Sequence, residues 1–335
     1  MPRSYRKIII HALTGHFRTA TRVVEEAWRD PAPGEVLVRN HWAGCNAIFD
    51  QNLCRNGIRY LDVVPPFDLG IESVGEVVAL GAGVTSLREG DAVATSRLGT
   101  GYREFQIATP ERLIKVREAS PQILTLIPTG ISAMVGIERA GEMRGGETVI
   151  VSAAAGGLGH MVVQIAKLAG CHVIGLTSSD EKISVLGHLG VDRAINYRRE
   201  KLHAVLEREY PRGVDIAYDS AGGEIFDVFL NHLAMRGRLV ISGHTSDFDK
   251  PLEDVQQLRI YHKLYWKSAS VRGFQNQAYA EYFDEAAQRI LSLYYNDKLK
   301  PLVDATAFVG LERVADAVEH LLAGRSSGKV VVKIS

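Results

Sequence analysis

Cysteine is scarce in this chain of 335 residues, which holds only Cys45, Cys54 and Cys171. An odd, sparse set argues against a disulfide framework and suits a reducing compartment, so the cytoplasm is the expected location. An excess of one charge is also missing. Lys plus Arg number 39 and Asp plus Glu number 39, giving zero net charge, whereas a nucleic-acid binder carries a basic surplus. No apolar run approaches the roughly 18 residues of a membrane helix. The apolar stretch at 8–13, behind a basic N-terminus, is interrupted by His11 and too short for a signal peptide. C-x-x-C and H-E-x-x-H are both absent, which excludes a four-cysteine zinc site and a zincin-type helix. Cys45 and Cys54 have only His41 nearby to complete a metal set, and they read as small buried residues.

What remains is ordinary globular material, 46% hydrophobic and 23% charged, long enough for two domains. The first 120 residues show short β-type runs at 36–39, 74–80 and 92–94, divided by Pro33-Gly34, by 81–83 and by Gly90-Asp91. From 147 onward strands and helices alternate. Strands are predicted at 147–152, 172–176, 194–196, 214–218, 238–241 and 268–273. Helices are predicted at 158–169, 180–189, 201–209 and 224–234. Such alternation predicts an α/β fold, a parallel sheet covered on both faces. Two helical segments (279–294 and 311–322) and a closing strand at 329–334 follow, and that strand is more like the N-terminal region. The expected plan is therefore a discontinuous domain, 1–122 with 294–335, interrupted by a second domain at 123–293.

The run Ala153-Ala-Ala-Gly-Gly-Leu-Gly159 lies between a strand and a helix. Aligned with G-x-G-x-x-G, its special positions are Ala154, Gly156 and Gly159. A helix start preceded by glycines exposes N–H groups and a positive dipole end to a pyrophosphate. Ala155, Gly156, Gly157, Leu158 and Gly159 are the expected cofactor contacts, and the strand–loop–helix context separates them from a mere packing turn. The next strand selects the dinucleotide. NAD-specific folds place an acidic residue at its tip, but here the tip is Leu176-Thr-Ser-Ser179, with Lys182 one turn into the helix. Ser178, Lys182 and Tyr197 could hold a 2′-phosphate, which favours NADPH over NADH. Ser178 also starts a capping box ending at Glu181, and Lys182 could be a solvated surface lysine. Both pairs of roles are compatible.

These residues resemble the zinc-independent medium-chain dehydrogenase/reductases, of the quinone oxidoreductase and prostaglandin (15-oxoprostaglandin 13-) reductase type. The resemblance covers nearly the whole chain. Its landmarks are Gly44-Cys-Asn46, the stretch 65–78, Gly90-Asp-Ala-Val93, Gly130-Ile-Ser-Ala133 and the loop 153–159. Thr177-Ser-Ser-Asp-Glu-Lys182, Ile195-Asn-Tyr197, the stretch 218–223 and the stretch 326–332 complete the series. The resemblance implies a Rossmann doubly wound sheet plus a discontinuous, mostly β, GroES-like catalytic domain. It puts Asn46, Ile71 and Thr129 at the positions of the zinc ligands of metal-dependent relatives, so no metal site is expected. It implies cofactor contacts at Ser132, Ser178, Lys182, Tyr197, Ser220, Gly243 and Phe274, with His244 in the same loop as Gly243. Two departures stand out. Phe248 occupies the place of a tyrosine whose hydroxyl meets the substrate carbonyl in many prostaglandin reductases, and Ser326 replaces an asparagine that contacts the cofactor.

The expected chemistry is hydride addition to the β-carbon of an α,β-unsaturated ketone, or reduction of a quinone, both small hydrophobic substrates. Without a Lewis acid the substrate must already be activated, and the protein contributes proximity and hydrogen-bond donors to the enolate oxygen. Asn46 and Tyr60 are the expected donors, against readings of Asn46 as a turn residue and Tyr60 as an ordinary aromatic. Water, or a tyrosine that the sequence does not single out, would protonate the α-carbon. A nucleotide-binding protein without turnover is the alternative from another class. The strand at 268–273 leaves a sheet edge, and pairing of that edge across a two-fold axis would give a homodimer.

Overall fold

The computed structural model describes residues 3–247 and 254–335. Phe248 lies outside the described residues. The chain forms two compact units, Met1–Pro128 with Leu302–Ser335, and Thr129–Pro301. The divisions fall after 128 and 301 rather than after the expected 122 and 293. Local contacts explain the later second division. Helix Phe283–Tyr295 packs on Ile131–Val135, and the Gln164 amide binds both the N–H of Lys300 (2.7 Å) and its carbonyl (3.2 Å). The segment 294–301 is thus fastened to the parallel sheet's own helices.

The Thr129–Pro301 unit is built on six parallel strands. Their spatial order is Arg193–Asn196, His172–Thr177, Thr148–Val151, Val214–Asp219, Leu233–Ile241 and Ser270–Gly273. In chain order this is the doubly wound arrangement in which ligands sit beyond the carboxyl ends of the strands, where the order reverses. Helices on both faces explain why the strands are continuous apolar runs. Val149, Ile150, Val173, Ile174, Ile216 and Ala217 have no exposed surface. One expected boundary is wrong. Leu233 continues the helical spacing of Ile225, Phe226, Phe229 and Leu230, yet the helix Glu224–Asn231 has already ended. Sheet pairing captures Leu233 instead, opposite Val214, whose N–H reaches the His232 carbonyl at 2.8 Å.

The other unit is antiparallel. Its larger sheet runs Val331–Lys333, Val36–Gly44, Glu72–Leu80, Ala92–Ser96 and Ile114–Lys115, with Phe105–Ala108 also paired to Val36–Gly44. A smaller sheet joins Thr21–Ala27, Ser4–Ile10 and Phe67–Asp68. The chain's return is direct, since Val331 pairs with Gly44 and Lys333 with Trp42. Helix Val314–Leu322 shares a core with the N-terminal part through Ile8, Phe17, Leu53, Val314 and Val318. Helix Ala47–Cys54 has no counterpart in the sequence expectation, because polar Asp50 and Gln51 sit among its buried residues and break the apolar period.

Candidate active site

The glycine loop is shaped by close backbone approach. A Cβ on Gly159 would overlap the Ala153 carbonyl oxygen and lie 2.8 Å from the Ala154 Cα, and one on Gly156 would lie 3.1 Å from the Ala153 oxygen. Helix Gly159–Leu168 therefore starts directly against the end of the first strand, and its first turn carries no acidic residue. The N–H groups of His160, Met161 and Val162 already bind the carbonyls of Gly156 and Leu158, so it is the dipole end of the helix that can receive an anion without carboxylate repulsion. Ala155 and Gly159 are buried here, while Gly156, Gly157 and Leu158 stay partly open.

Beside this loop, a buried pair ties together the two central strands. Ser152 Oγ donates to Asp219 Oδ1 at 2.7 Å and accepts the Ser220 N–H at 2.8 Å. Asp219 also accepts the N–H groups of Ala221 (2.8 Å) and Gly222 (3.2 Å). Further out, Thr245 N–H and Ser246 N–H bind the carbonyls of Ser220 and Ala221 at 3.1 and 2.8 Å. Ser220, Gly243 and the exposed His244 are thus brought together over the strand ends. Phe274 joins them in the sheet, its N–H on the Ile241 carbonyl at 2.8 Å and its ring 5.3 Å from that of Tyr279. Ser132 is buried on the helix Ile131–Val135.

At the tip of His172–Thr177 the structure alters one expectation. The helix cap is Ser179, not Ser178. Glu181 is held below the usual carboxylate range by its own backbone N–H and then by the Ser179 hydroxyl. The expected capping box does not form, because the Ser179 side chain caps no helix N–H and Ser178 stands outside the helix start. Tyr197 N–H bonds the Thr177 carbonyl at 3.1 Å, which sets this exposed tyrosine beside the tip. Lys182 lies in the helix's first turn, partly buried. Sequence reasoning missed the part played by Asp180. Its carboxylate accepts the Asn196 amide at 2.6 Å and pairs with Arg199 at 2.7 Å, so the nearest acid is already neutralised. Arg198 adds positive charge next to Tyr197, which the residue after Ile195-Asn-Tyr197 could have signalled.

In the antiparallel unit Asn46 is the N-cap of Ala47–Cys54, yet its side chain does not cap the helix. Instead Nδ2 donates to Glu72 Oε1 at 2.6 Å and Oδ1 accepts from Lys329 Nζ at 3.0 Å. Lys329 and Glu72 pair at 2.5 Å, and both are buried, 4% and 0% exposed. Gly44 leaves room for this cluster, because a Cβ there would overlap the Glu72 carboxylate. Burial pushes the Glu72 carboxyl up, and the Lys329 charge and the Asn46 amide pull it back. Next to it, Asp50 accepts the Tyr102 hydroxyl at 2.6 Å and the Asn46 N–H at 3.2 Å. Burial pushes Asp50 up to about 7 and the Cys45 thiol up to about 12. Tyr60 is exposed in the loop after this helix, and no hydrogen bond joins it to Asn46 among the described residues. Ser326 is buried just ahead of Lys329, where Ser327 N–H binds Asp304 at 2.8 Å. Lys329 was missed because nothing local marks it: 283 residues separate it from Asn46.

Residues 157–292 match the zinc-binding dehydrogenase family and residues 32–118 the alcohol dehydrogenase GroES-like domain. Mouse prostaglandin reductase-3 is 38% identical, over all of this chain and 90% of that protein. A probable quinone oxidoreductase of Leishmania amazonensis is 37% identical, over 99% of each. A mycobacterial protein solved in complex with NADPH superposes with a TM-score of 0.84 at 25% identity, over 98% of this chain and 100% of that one. The chain belongs to the medium-chain dehydrogenase/reductase family, of the quinone oxidoreductase and prostaglandin reductase type.

Metal-dependent members of such a family hold zinc, and the residues here do not fit it. Asn46 and Ile71 offer neither thiolate nor imidazole. The Lys329 ammonium lies against Glu72 and the Asn46 oxygen, where a cation would have to compete with it. No group of three His, Cys, Asp or Glu among the described residues could hold a metal. A dinucleotide, in contrast, fits the acid-free helix start and the glycines that a Cβ would block.

Proposed function

We propose that this protein is a zinc-independent, NADPH-dependent reductase that adds hydride to the activated C=C bond of α,β-unsaturated ketones, with quinones as related substrates. The observation that supports the reading is the Lys329–Glu72–Asn46 cluster, a set of hydrogen-bonding groups around Asn46, the residue that the family resemblance aligns with a zinc ligand of metal-dependent relatives. A substrate that needs no metal must carry its own activation, as a conjugated carbonyl does. The names of the two relatives and the NADPH complex of the mycobacterial protein point the same way.

NADPH would lie on the loop 155–159 and supplies the hydride. Ser178, Lys182 and Tyr197 hold its 2′-phosphate, with Arg198 adding charge, and Ser132, Ser220, Gly243, His244, Phe274 and Ser326 are the remaining contacts. Asn46 donates an N–H to the substrate carbonyl oxygen as negative charge collects there. Tyr60 is the second candidate donor, and water delivers the proton to the α-carbon. The described residues contain no helix long and apolar enough to cross a membrane, and three buried, unpaired cysteines support a reducing cytoplasmic setting. Among the described residues Ser270–Gly273 pairs only with Leu233–Ile241, and we assign the open edge to a second copy of the chain.

The test is NADPH oxidation by purified protein against a panel of enones and quinones, with and without a chelator, beside elemental analysis. Turnover of a panel member, unchanged by chelation, is the expected result. Absence of turnover across the panel, or stoichiometric zinc whose removal abolishes activity, would overturn the reading.

A further inference from the structure

Asparagine is among the best helix N-caps because its side-chain oxygen accepts an N–H of its own first turn. Asn46 occupies that position, and its side chain is diverted from it. Two partners hold it instead, and their chemistry fixes its orientation. An ammonium can only donate, so Lys329 must face Oδ1; a carboxylate can only accept, so Glu72 must face Nδ2. The nitrogen carries two hydrogens, and one is committed to Glu72. Asn46 itself is only partly buried, between a fully buried carboxylate and a nearly buried ammonium.

The positive charge on the oxygen pulls the amide toward its charge-separated resonance form, while the carboxylate holds one hydrogen and so fixes the direction of the other. That form makes the remaining N–H a stronger donor, and a low-dielectric setting strengthens the effect. Buried ion pairs are weak sources of stability, and this one lies against an amide that is itself only partly buried. We propose that Lys329 and Glu72 are positioning residues that polarise and orient the Asn46 carboxamide, so that its outward N–H stabilises the enolate oxygen in place of a metal ion. This inference rests on the enone-reductase reading above.

The test is a double-mutant cycle in the full-length protein with NADPH and 3-buten-2-one as the probe enone. Asn46→Ala should lower kcat about 100-fold or more, as losing an oxyanion donor does. Lys329→Met should lower kcat about tenfold or more, with the KM for NADPH changed less than about threefold. If Lys329 acts through Asn46, adding Lys329→Met to Asn46→Ala should cost almost nothing further. A merely structural lysine would cost the same factor in both backgrounds. Because Lys329→Met leaves Glu72 unpaired, the neutral pair Glu72→Gln/Lys329→Met provides a version without buried charge. It should fold, bind NADPH as the wild type does, and show the same loss in kcat. Independent, multiplying losses, or a neutral pair with wild-type kcat, would overturn the proposal. If the wild type reduces neither the probe enone nor any other enone or quinone, the functional reading itself fails; an active wild type with an additive cycle overturns the positioning role alone.

Discussion

The two units build their sites from different materials. In the parallel-sheet unit the site is mostly backbone: a glycine loop, a helix start, and the turns at the ends of neighbouring strands. Each part is encoded within a few residues, and the sheet order sets the parts side by side. In the antiparallel unit the site is made of side chains, Asn46, Glu72 and Lys329, gathered from three distant stretches and buried together. A binding surface for a common cofactor can thus be local, while the groups proposed to act on the substrate depend on long-range burial. Backbone sites should therefore break through shape, and the buried cluster through charge.

Among effects on cofactor binding, the largest is expected at Gly159. Valine there would drive its side chain into the Ala153 carbonyl, so Gly159→Val should weaken NADPH binding at least about 100-fold, equivalent to about 2.7 kcal/mol, measured by quenching of protein fluorescence. Near wild-type affinity would show that the loop is more tolerant than its packing implies.

In the other unit the corresponding probe is pH. Asp50 is fully buried and its pKa is raised to about 7 by desolvation. Its neutral form is therefore favoured in the folded state relative to the unfolded chain. The associated stability is fully present below about pH 4 and is lost as pH rises through about 7, by up to about 4 kcal/mol as an order of magnitude. Urea unfolding of wild type and Asp50→Asn should show the difference shifting in favour of the variant from pH 4 to 7 and then levelling. A difference independent of pH would place the Asp50 carboxyl in a much better solvated setting.

A smaller effect is expected at the exposed strand tip. NADPH should bind at least about tenfold tighter than NADH, a difference of about 1.4 kcal/mol. Lys182→Ala should erode that preference while sparing NADH, by isothermal titration calorimetry. Equal wild-type affinities would contradict the cofactor assignment. The smallest effect concerns assembly. Val271 lies on the edge strand, opposite Leu239, and Val271→Pro removes an N–H from any pairing beyond it. Sedimentation equilibrium should show a wild-type dimer shifting toward single chains, and a monomeric wild type would contradict the edge pairing.

The same contrast governs what could be read from the sequence. Thr148–Val151, the glycine loop and helix Gly159–Leu168 were legible because the strand, turn and helix signals are contiguous. Ser178 was misread as the cap because Ser178 and Ser179 are equally good capping residues by type, and only backbone geometry separates them. Leu233 was misread because its periodicity fits a helix while its pairing partner, Val214, is distant in sequence. Asn46 stood out in the sequence as a polar residue at a position that the family resemblance marks. Its partner Lys329 did not, since a lysine before an apolar strand ordinarily reads as solvated, and here it is 4% exposed. Burial of a charge is decided by the whole fold, so no local pattern announces it.

The proposed chemistry is delivery of hydride to the β-carbon of an enone whose carbonyl is polarised by an amide and not by a metal. Its most direct test is isotopic: NADPH carrying deuterium on the transferred position of C4, an enone, chelator, and analysis of the product by NMR. The account predicts a saturated ketone with deuterium on the β-carbon. Deuterium on the carbonyl carbon of an allylic alcohol would contradict it.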